Sequence, residues 1–235
     1  MKKVLFFAAL ALSVMMVSCN KAENPEAKPA SEDKAAIQAQ PSEGLEAIRI
    51  AMDLARYGYK VESADALLKA ADILVSTPVK EMDNPQIEKS GEKAEGDDKR
   101  ITIARLLDDA KDIAGEDEHL LALAADIEKK IAASAEGTRG AVGGPVEHYD
   151  RISGQSYDLY TIGFKAEELA EIAIIGDGDT DLDLYVYDEN GNLVESDTSY
   201  SGNCYVSFSP RWTGNFSVKV INRGNIYNDY VLLTN

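Results

Sequence analysis

The stretch DTDLDLYVYDENG, residues 179–191, decides the fold of the second half of this chain. Its apolar side chains Leu182, Leu184 and Val186 occupy every second position, which is the period of a β-strand with one buried face. The closing letters DENG are typical of a tight turn between two strands. The stretch therefore predicts a strand that turns back in a hairpin.

The same two-residue period recurs through the last ninety or so residues. Turn sequences at residues 201–203 and 210–214 separate the runs. About seven short strands of this kind predict an antiparallel β-sandwich over residues 146–235. The further alternating or apolar runs are Tyr160, Ile162 and Phe164; Cys204, Val206 and Phe208; Phe216, Val218 and Val220; and Tyr230–Leu233.

Two segments resemble a known family, the bacterial pre-peptidase C-terminal domain. Residues 179–191 resemble the centre of that domain, and FSPRWTGNFSV, residues 208–218, resembles its turn between two late strands, with Phe216 where the family usually has Tyr. The resemblance covers residues 146–235. It implies a jelly-roll-like β-sandwich that accompanies secreted hydrolases, assists substrate binding or export, and binds calcium in some members.

The first half has a helical period instead. Leu45, Ile48 and Met52 lie on one helical stripe, Gly58-Tyr59 is expected to form a corner, and Thr77-Pro78 is expected to end a second helix. Residues 79–97 are charged and contain Pro85 and two glycines, which predicts a solvated loop. The fold class is therefore α+β, with a small all-α region followed by the antiparallel sandwich.

Two further helices are expected on either side of Gly115, which makes a bundle of two hairpins over residues 44–136. Residues 67–73, LLKAADI, match residues 121–127, LALAADI, at an offset of 54 positions. Either an internal repeat or the chance similarity of Ala-rich helices explains this match. Residues 137–145 are rich in glycine and predict a hinge.

The first residues carry an export signal. Lys2 and Lys3 precede an apolar run from Val4 to Val17, and Met16-Val17-Ser18-Cys19 resembles the lipobox of bacterial lipoproteins. A lipoprotein signal peptide over residues 1–18 with a lipid on Cys19 is favoured over an ordinary cleaved signal peptide or a membrane helix. Residues 19–43, rich in Pro, Ala and charged residues, then form a disordered tether.

The charge of the chain narrows the choice of partners. The formal net charge is -17, and a surface this acidic repels nucleic-acid phosphates and anionic lipids. With nucleic acids and anionic lipid surfaces disfavoured, the expected partners are the membrane, through a lipid anchor, and cations or a protein or glycan ligand. The location expected is the bacterial cell envelope, at the outer membrane, on its periplasmic or its surface face.

Four alternating aspartates form a candidate metal site. Asp177, Asp179, Asp181 and Asp183 flank a glycine at residue 178 and lead into a strand. Calcium prefers several carboxylate oxygens that converge from a flexible loop. The alternative is a solvated turn in which the aspartates cap backbone groups and protect the sheet edge.

Aromatic residues form a candidate partner-binding surface. Tyr185 and Tyr187 should face away from Leu184 and Val186, and Trp212 lies in a turn. Exposed Tyr and Trp rings bind extended polypeptide or sugar rings. The alternative is that the rings only pack on their cross-strand neighbours.

The sequence does not favour an enzyme. His119 and His148 are the two histidines, and Cys204 alternates with apolar residues as a buried strand residue would. The leading hypothesis is a non-catalytic, lipid-anchored envelope protein that binds a protein or glycan partner, with calcium-dependent binding if the four aspartates hold the metal. The alternatives are an accessory or chaperone-like subunit of a separate secreted peptidase, or a hydrolase with an unfamiliar carboxylate site.

Overall fold

The computed structural model describes residues 41–137 and 145–235. The predicted signal peptide and Cys19, the tether up to residue 40, and residues 138–144 of the predicted hinge lie outside the described residues. Four helices are followed by a two-sheet sandwich, so the α+β class is confirmed. None of the described helices combines the length and the apolar character that crossing a membrane requires.

Within the part of the chain that the structure describes, ten strands form two sheets of five. Sheet A has the order β1-β3-β10-β5-β8 and sheet B the order β2-β4-β9-β6-β7. Every pairing is antiparallel except that of β1 with β3. The strands are β1 Lys80–Glu81, β2 Gln86–Lys89, β3 Val146–Ile152, β4 Tyr157–Phe164, β5 Ala170–Gly176, β6 Leu182–Tyr187, β7 Leu193–Asp197, β8 Asn203–Phe208, β9 Gly214–Asn222 and β10 Asn228–Thr234.

The last eight strands have the connections of a jelly roll. The chain crosses from sheet A to sheet B between β3 and β4 and again between β5 and β6. Later in the chain, β9 lies between β4 and β6 in sheet B, and β10 lies between β3 and β5 in sheet A. This order gives two interlocked Greek keys. Inward-facing residues of both sheets, Tyr160, Leu184 and Val218 among them, form the core of the sandwich.

The segment at residues 79–97 is not the simple solvated loop that its charge predicted. β1 extends the edge of sheet A beside β3, and β2 extends the edge of sheet B beside β4. The sequence reading was wrong here because these strands are only two and four residues long and mostly exposed. Strands this short have no hydrophobic period that a sequence could reveal.

The four helices are α1 Glu43–Val61, α2 Ala64–Ser76, α3 Ile103–Ala114 and α4 Glu118–Gly137. The end of α2 before Thr77-Pro78 is confirmed. The expected corner at Gly58-Tyr59 is wrong, because α1 continues to Val61 and the chain turns at Glu62, with φ 53°. Gly58 serves close packing instead, since a Cβ there would lie 2.7 Å from Leu67 Cδ2 on α2.

Helix α1 packs against the outer face of sheet A. Its side chains Leu45, Ile48 and Met52 form one buried cluster with Ile175 of β5 and Val231 of β10. Both strands are therefore buried on their two faces, and all seven residues of each are buried. Helices α2, α3 and α4 pack behind α1 around a separate core that contains Leu67, Leu106 and Ile127.

The two ends of the described chain meet at the start of β5. The backbone N–H of Ser42 donates a hydrogen bond of 2.6 Å to Glu171 Oε1. At the other end, the side-chain oxygen of Asn235 accepts from Glu171 N at 2.9 Å. The entry into α1 and the exit from β10 therefore share one corner of the sandwich.

Docking of α1 on sheet A gives a direct test of this architecture. Ile48 is 1% exposed and Ile50, on the same helix, is 45% exposed. Ile48→Ala should lower the free energy of unfolding by about 2–5 kcal/mol, because it leaves a cavity between helix and sheet. Ile50→Ala should change it by less than about 0.5 kcal/mol. Urea denaturation measures both, and equal losses would contradict the packing.

Candidate functional site

The four candidate metal-binding aspartates lie at one end of the sandwich but turn to different partners. Asp177 accepts hydrogen bonds from the backbone N–H groups of Asp179 and Asp229, both at 3.0 Å. Asp181 accepts from Ser201 N at 2.8 Å. These bonds cap the β5–β6 connection and join it to β10 and to the turn before β8.

The other two aspartates are paired with cations. Asp179 lies 2.7 Å from Lys99 Nζ, and Asp183 accepts from Arg223 Nε at 2.6 Å. Within residues 41–137 and 145–235, no group of three or more His, Cys, Asp or Glu side chains is arranged to hold a metal ion. Calcium binding at this loop stays a prediction from the sequence.

Tyr185 and Tyr187 lie side by side on the outer face of sheet B. Their ring centroids are 6.3 Å apart and the rings are inclined by 14°. Both are partly exposed, whereas Leu184 and Val186 are buried in the core. Arg223 donates to the Tyr185 hydroxyl at 3.4 Å and also holds Asp183, which fixes one end of the pair.

The outer face of sheet B continues across the neighbouring strands. Lys219 of β9 is opposite Tyr185, and Leu159 of β4 is opposite Lys219. The Lys219 ammonium lies 4.0 Å from the centre of the Tyr157 ring, a cation–π contact. Partly exposed aromatic, aliphatic and cationic groups therefore share one surface of three strands, which we call the aromatic face.

Trp212 does not belong to the aromatic face. It lies in the turn before β9, and its ring stacks on Phe216 with centroids 6.1 Å apart and an inclination of 22°. Phe216 is 2% exposed and belongs to the sandwich core, while Trp212 itself is 38% exposed. The structure thus brings Tyr185 and Tyr187 together, and it uses Trp212 to cover the end of the core.

A buried polar cluster at the edge of the sandwich was not predicted from the sequence. Lys89 Nζ of β2 lies 2.7 Å from Asp150 Oδ1 and 3.0 Å from Asp158 Oδ2. The hydroxyls of Tyr160 and Tyr230 bond to each other and to these carboxylates. Asp158 lies two residues before Tyr160 on β4, so both side chains face the core. A charged residue at a core-facing position of a strand is the feature of the sequence that could have indicated this cluster.

Burial and charge act in opposite directions on the two carboxylates of this cluster. Burial raises the pKa of Asp158, although Lys89 opposes the shift. Burial would also raise the pKa of Asp150, but hydrogen bonds from His148 and Lys89 outweigh it and lower this pKa to about 2. Lys89 therefore offsets part of the negative charge of the cluster and holds β2 on the edge of sheet B.

Cys204 and His148 are engaged in structural contacts. Cys204 is confirmed as a buried strand residue, and its thiol donates to the Leu182 carbonyl at 3.0 Å. Burial raises the pKa of this thiol, which makes it a poor nucleophile at neutral pH. His148 Nε2 lies 3.7 Å from Asp150, within the polar cluster, and His119 is exposed on α4.

No protein-family model matches the chain, and no curated protein matches it. Similar solved structures include the pre-peptidase C-terminal domain of a Bacillus anthracis collagenase, with a TM-score of 0.32 and 14% identity over 38% of this chain and 87% of that chain. Aeromonas hydrophila PliG, a periplasmic inhibitor of g-type lysozyme, has a TM-score of 0.30 and 13% identity over 38% and 83%.

A carbohydrate-binding module of the Cellvibrio mixtus lichenase 5A, solved with cellotriose, is similar at a TM-score of 0.25 and 11% identity, over 42% of this chain and 81% of the module. Likenesses this low do not extend to function. What the chain binds must be argued from its own surface.

Calcium binding at residues 177–183 has a simple test. If calcium is held there, the melting temperature of the chain from Asn20 onward rises with calcium concentration relative to chelator, by mass action. Lys99→Gln should enlarge the rise because it frees Asp179, and Asp179→Asn should reduce it. Calorimetry measures the shifts. An unchanged melting temperature at millimolar calcium would remove the metal from this loop.

Proposed function

We propose that this protein is a non-catalytic binding protein of the bacterial envelope, anchored by a lipid on Cys19, and that the aromatic face of its β-sandwich binds a protein or glycan partner. The observation that carries the proposal is the pair Tyr185 and Tyr187, with nearly parallel rings on an accessible sheet surface.

The helices favour sheet B as the binding surface. Sheet A has its outer face against α1, through Ile48 and Met52. The corresponding face of sheet B carries partly exposed side chains on β4, β6 and β9. Among residues 41–137 and 145–235, it is therefore the broad face of sheet B that no helix covers.

The chemistry of the aromatic face suits an extended ligand. Each tyrosine offers an apolar ring and a hydroxyl, so it can pack on an apolar surface and still form a hydrogen bond. Lys219 and Arg223 add donors beside the rings. Aromatic residues and arginine are enriched where proteins bind partners, and the tyrosine hydroxyls and cationic donors equally suit sugar hydroxyls.

The anchor and the sequence resemblance set the proposed location. A lipid on Cys19 and a tether up to residue 43 hold the folded part near the outer membrane. The net charge of -17 keeps that part away from anionic lipid surfaces. The likeness of residues 146–235 to pre-peptidase C-terminal domains supports an accessory, ligand-binding role for the sandwich.

Removal of the tyrosine rings tests the aromatic face. Tyr185→Thr/Tyr187→Thr should weaken ligand binding by about tenfold or more, since buried aromatic contacts dominate such surfaces. Tyr200→Thr, which removes a ring that is 95% exposed in a turn, is the matched control and should leave binding unchanged. Arrays of bacterial polysaccharides and of envelope proteins identify the ligand, and titration measures its affinity. Binding that survives in the double variant would contradict the proposal.

The anchor has its own test. The chain expressed with its leader should incorporate labelled palmitate and sediment with membranes, and Cys19→Ala should abolish the label. Cys204→Ala is the control and should keep both the label and the membrane association. Incorporation of the label into Cys19→Ala would argue against a lipid anchor at this position.

A further inference from the structure

The aromatic face consists of two neighbouring rows of side chains that differ in chemistry. The strand register places both rows across β4, β9 and β6, in that order. The first row is Leu159, Lys219 and Tyr185, and the second row is Thr161, Ser217 and Tyr187. One row therefore offers a ring beside an ammonium group, and the other offers a ring beside two hydroxyls.

The ammonium group of Lys219 is available to a ligand. It lies 4.0 Å from the centre of the Tyr157 ring, and a cation–π contact of this kind holds an ammonium without cancelling its charge. None of the ion pairs within the described part of the chain involves Lys219. By contrast, Arg223 at the end of the same face is paired with Asp183.

The carboxylates near Lys219 leave its charge effective. Asp183, which faces outward on β6, is 5% exposed and bound to Arg223. Beyond Leu159, the first row continues to Glu88 of β2, two strand spacings or about 10 Å from Lys219. Exposed charges this far apart are largely screened at physiological ionic strength, where the Debye length is about 8 Å. The acidity of the whole chain therefore does not prevent one carboxylate of a ligand from binding at Lys219.

The rings beside Lys219 are accessible and regularly spaced. Tyr157, Tyr185 and Tyr187 are all partly exposed. Tyr185 and Tyr187 are two residues apart on one strand, with centroids 6.3 Å apart and rings inclined by 14°. Each ring can therefore pack on one unit of a polymer that has a regular repeat.

The second row favours a glycan over a protein as this polymer. The residues that dominate protein interfaces fill well-packed, desolvated pockets, whereas Thr161 and Ser217 present hydroxyls on an open sheet surface. A sugar ring has an apolar C–H face and a rim of hydroxyls. It can pack on a tyrosine ring and exchange hydrogen bonds with neighbouring hydroxyls.

We propose that the aromatic face binds an acidic glycan. The carboxylate of a uronic acid unit binds Lys219 and its ring packs on Tyr185, while the next unit packs on Tyr187 beside Ser217 and Thr161. This inference rests on the proposed function, and it selects one of the two classes of partner named there. The ammonium group makes binding depend on the charge of the glycan, and the tyrosine rings make it depend on the sugar.

Matched oligosaccharides test the charge selectivity. The probes are six-sugar fragments of hyaluronan, alginate and polygalacturonate, titrated by calorimetry into the chain from Asn20 onward, which retains all described residues. At least one of them should bind saturably. The same fragments with their carboxylates reduced to alcohols should bind at least about tenfold more weakly, because they lose the charge-assisted hydrogen bond to Lys219.

Variants of Lys219 locate the carboxylate. Lys219→Gln should weaken binding of the uronate fragment by about tenfold or more and leave binding of its reduced form unchanged. Lys219→Arg keeps the cation and should retain the selectivity. Lys129→Gln, which removes an ammonium group on α4 that is 77% exposed, is the matched control and should bind as the parent does. Unaltered melting temperatures confirm that these variants fold.

The results separate this inference from the proposed function. The inference is overturned if no uronate fragment binds, if the reduced forms bind as tightly, or if a peptide of glutamates binds as tightly as the uronates. It alone is overturned if Lys219→Gln binds the uronate normally while Tyr185→Thr/Tyr187→Thr does not. Normal binding by both variants would overturn the proposed function as well.

Discussion

The packing of α1 on sheet A is the contact on which the rest of this structure depends. β5 and β10 have apolar side chains on both faces, so a sandwich of two sheets alone would leave Ile175 and Val231 in water. Burial of such side chains stabilises a fold by roughly 1.5–3 kcal/mol each. The helical region is therefore more than an addition to the sandwich, because its first helix completes the core of sheet A.

This packing makes the two sides of the sandwich different. One sheet is covered by helices, and the other presents Tyr185 and Tyr187 to the solvent. It also forms a cleft of about 280 Å³ where α1 and the segment before α3 meet the ends of β5 and β10.

The sequence predicted those features that have a local period. The alternation of apolar residues predicted that Tyr185 and Tyr187 face away from Leu184 and Val186 on the same strand. It also predicted that Cys204 is buried. β5 was missed because a strand buried on both faces shows no alternation. The separation of Trp212 from Tyr185 and Tyr187 could not be predicted, because its contact with Phe216 comes from the shape of a turn.

Ser42 and Asn235 both bond to Glu171, so the tether would enter the folded part at one end of β5. Glu171 and Gly176 stand at opposite ends of β5, about 17 Å apart for an extended strand. On the proposed anchoring, the tether joins the folded part at the Glu171 corner, so the loop that begins at Asp177 lies at the end of β5 opposite the attachment point.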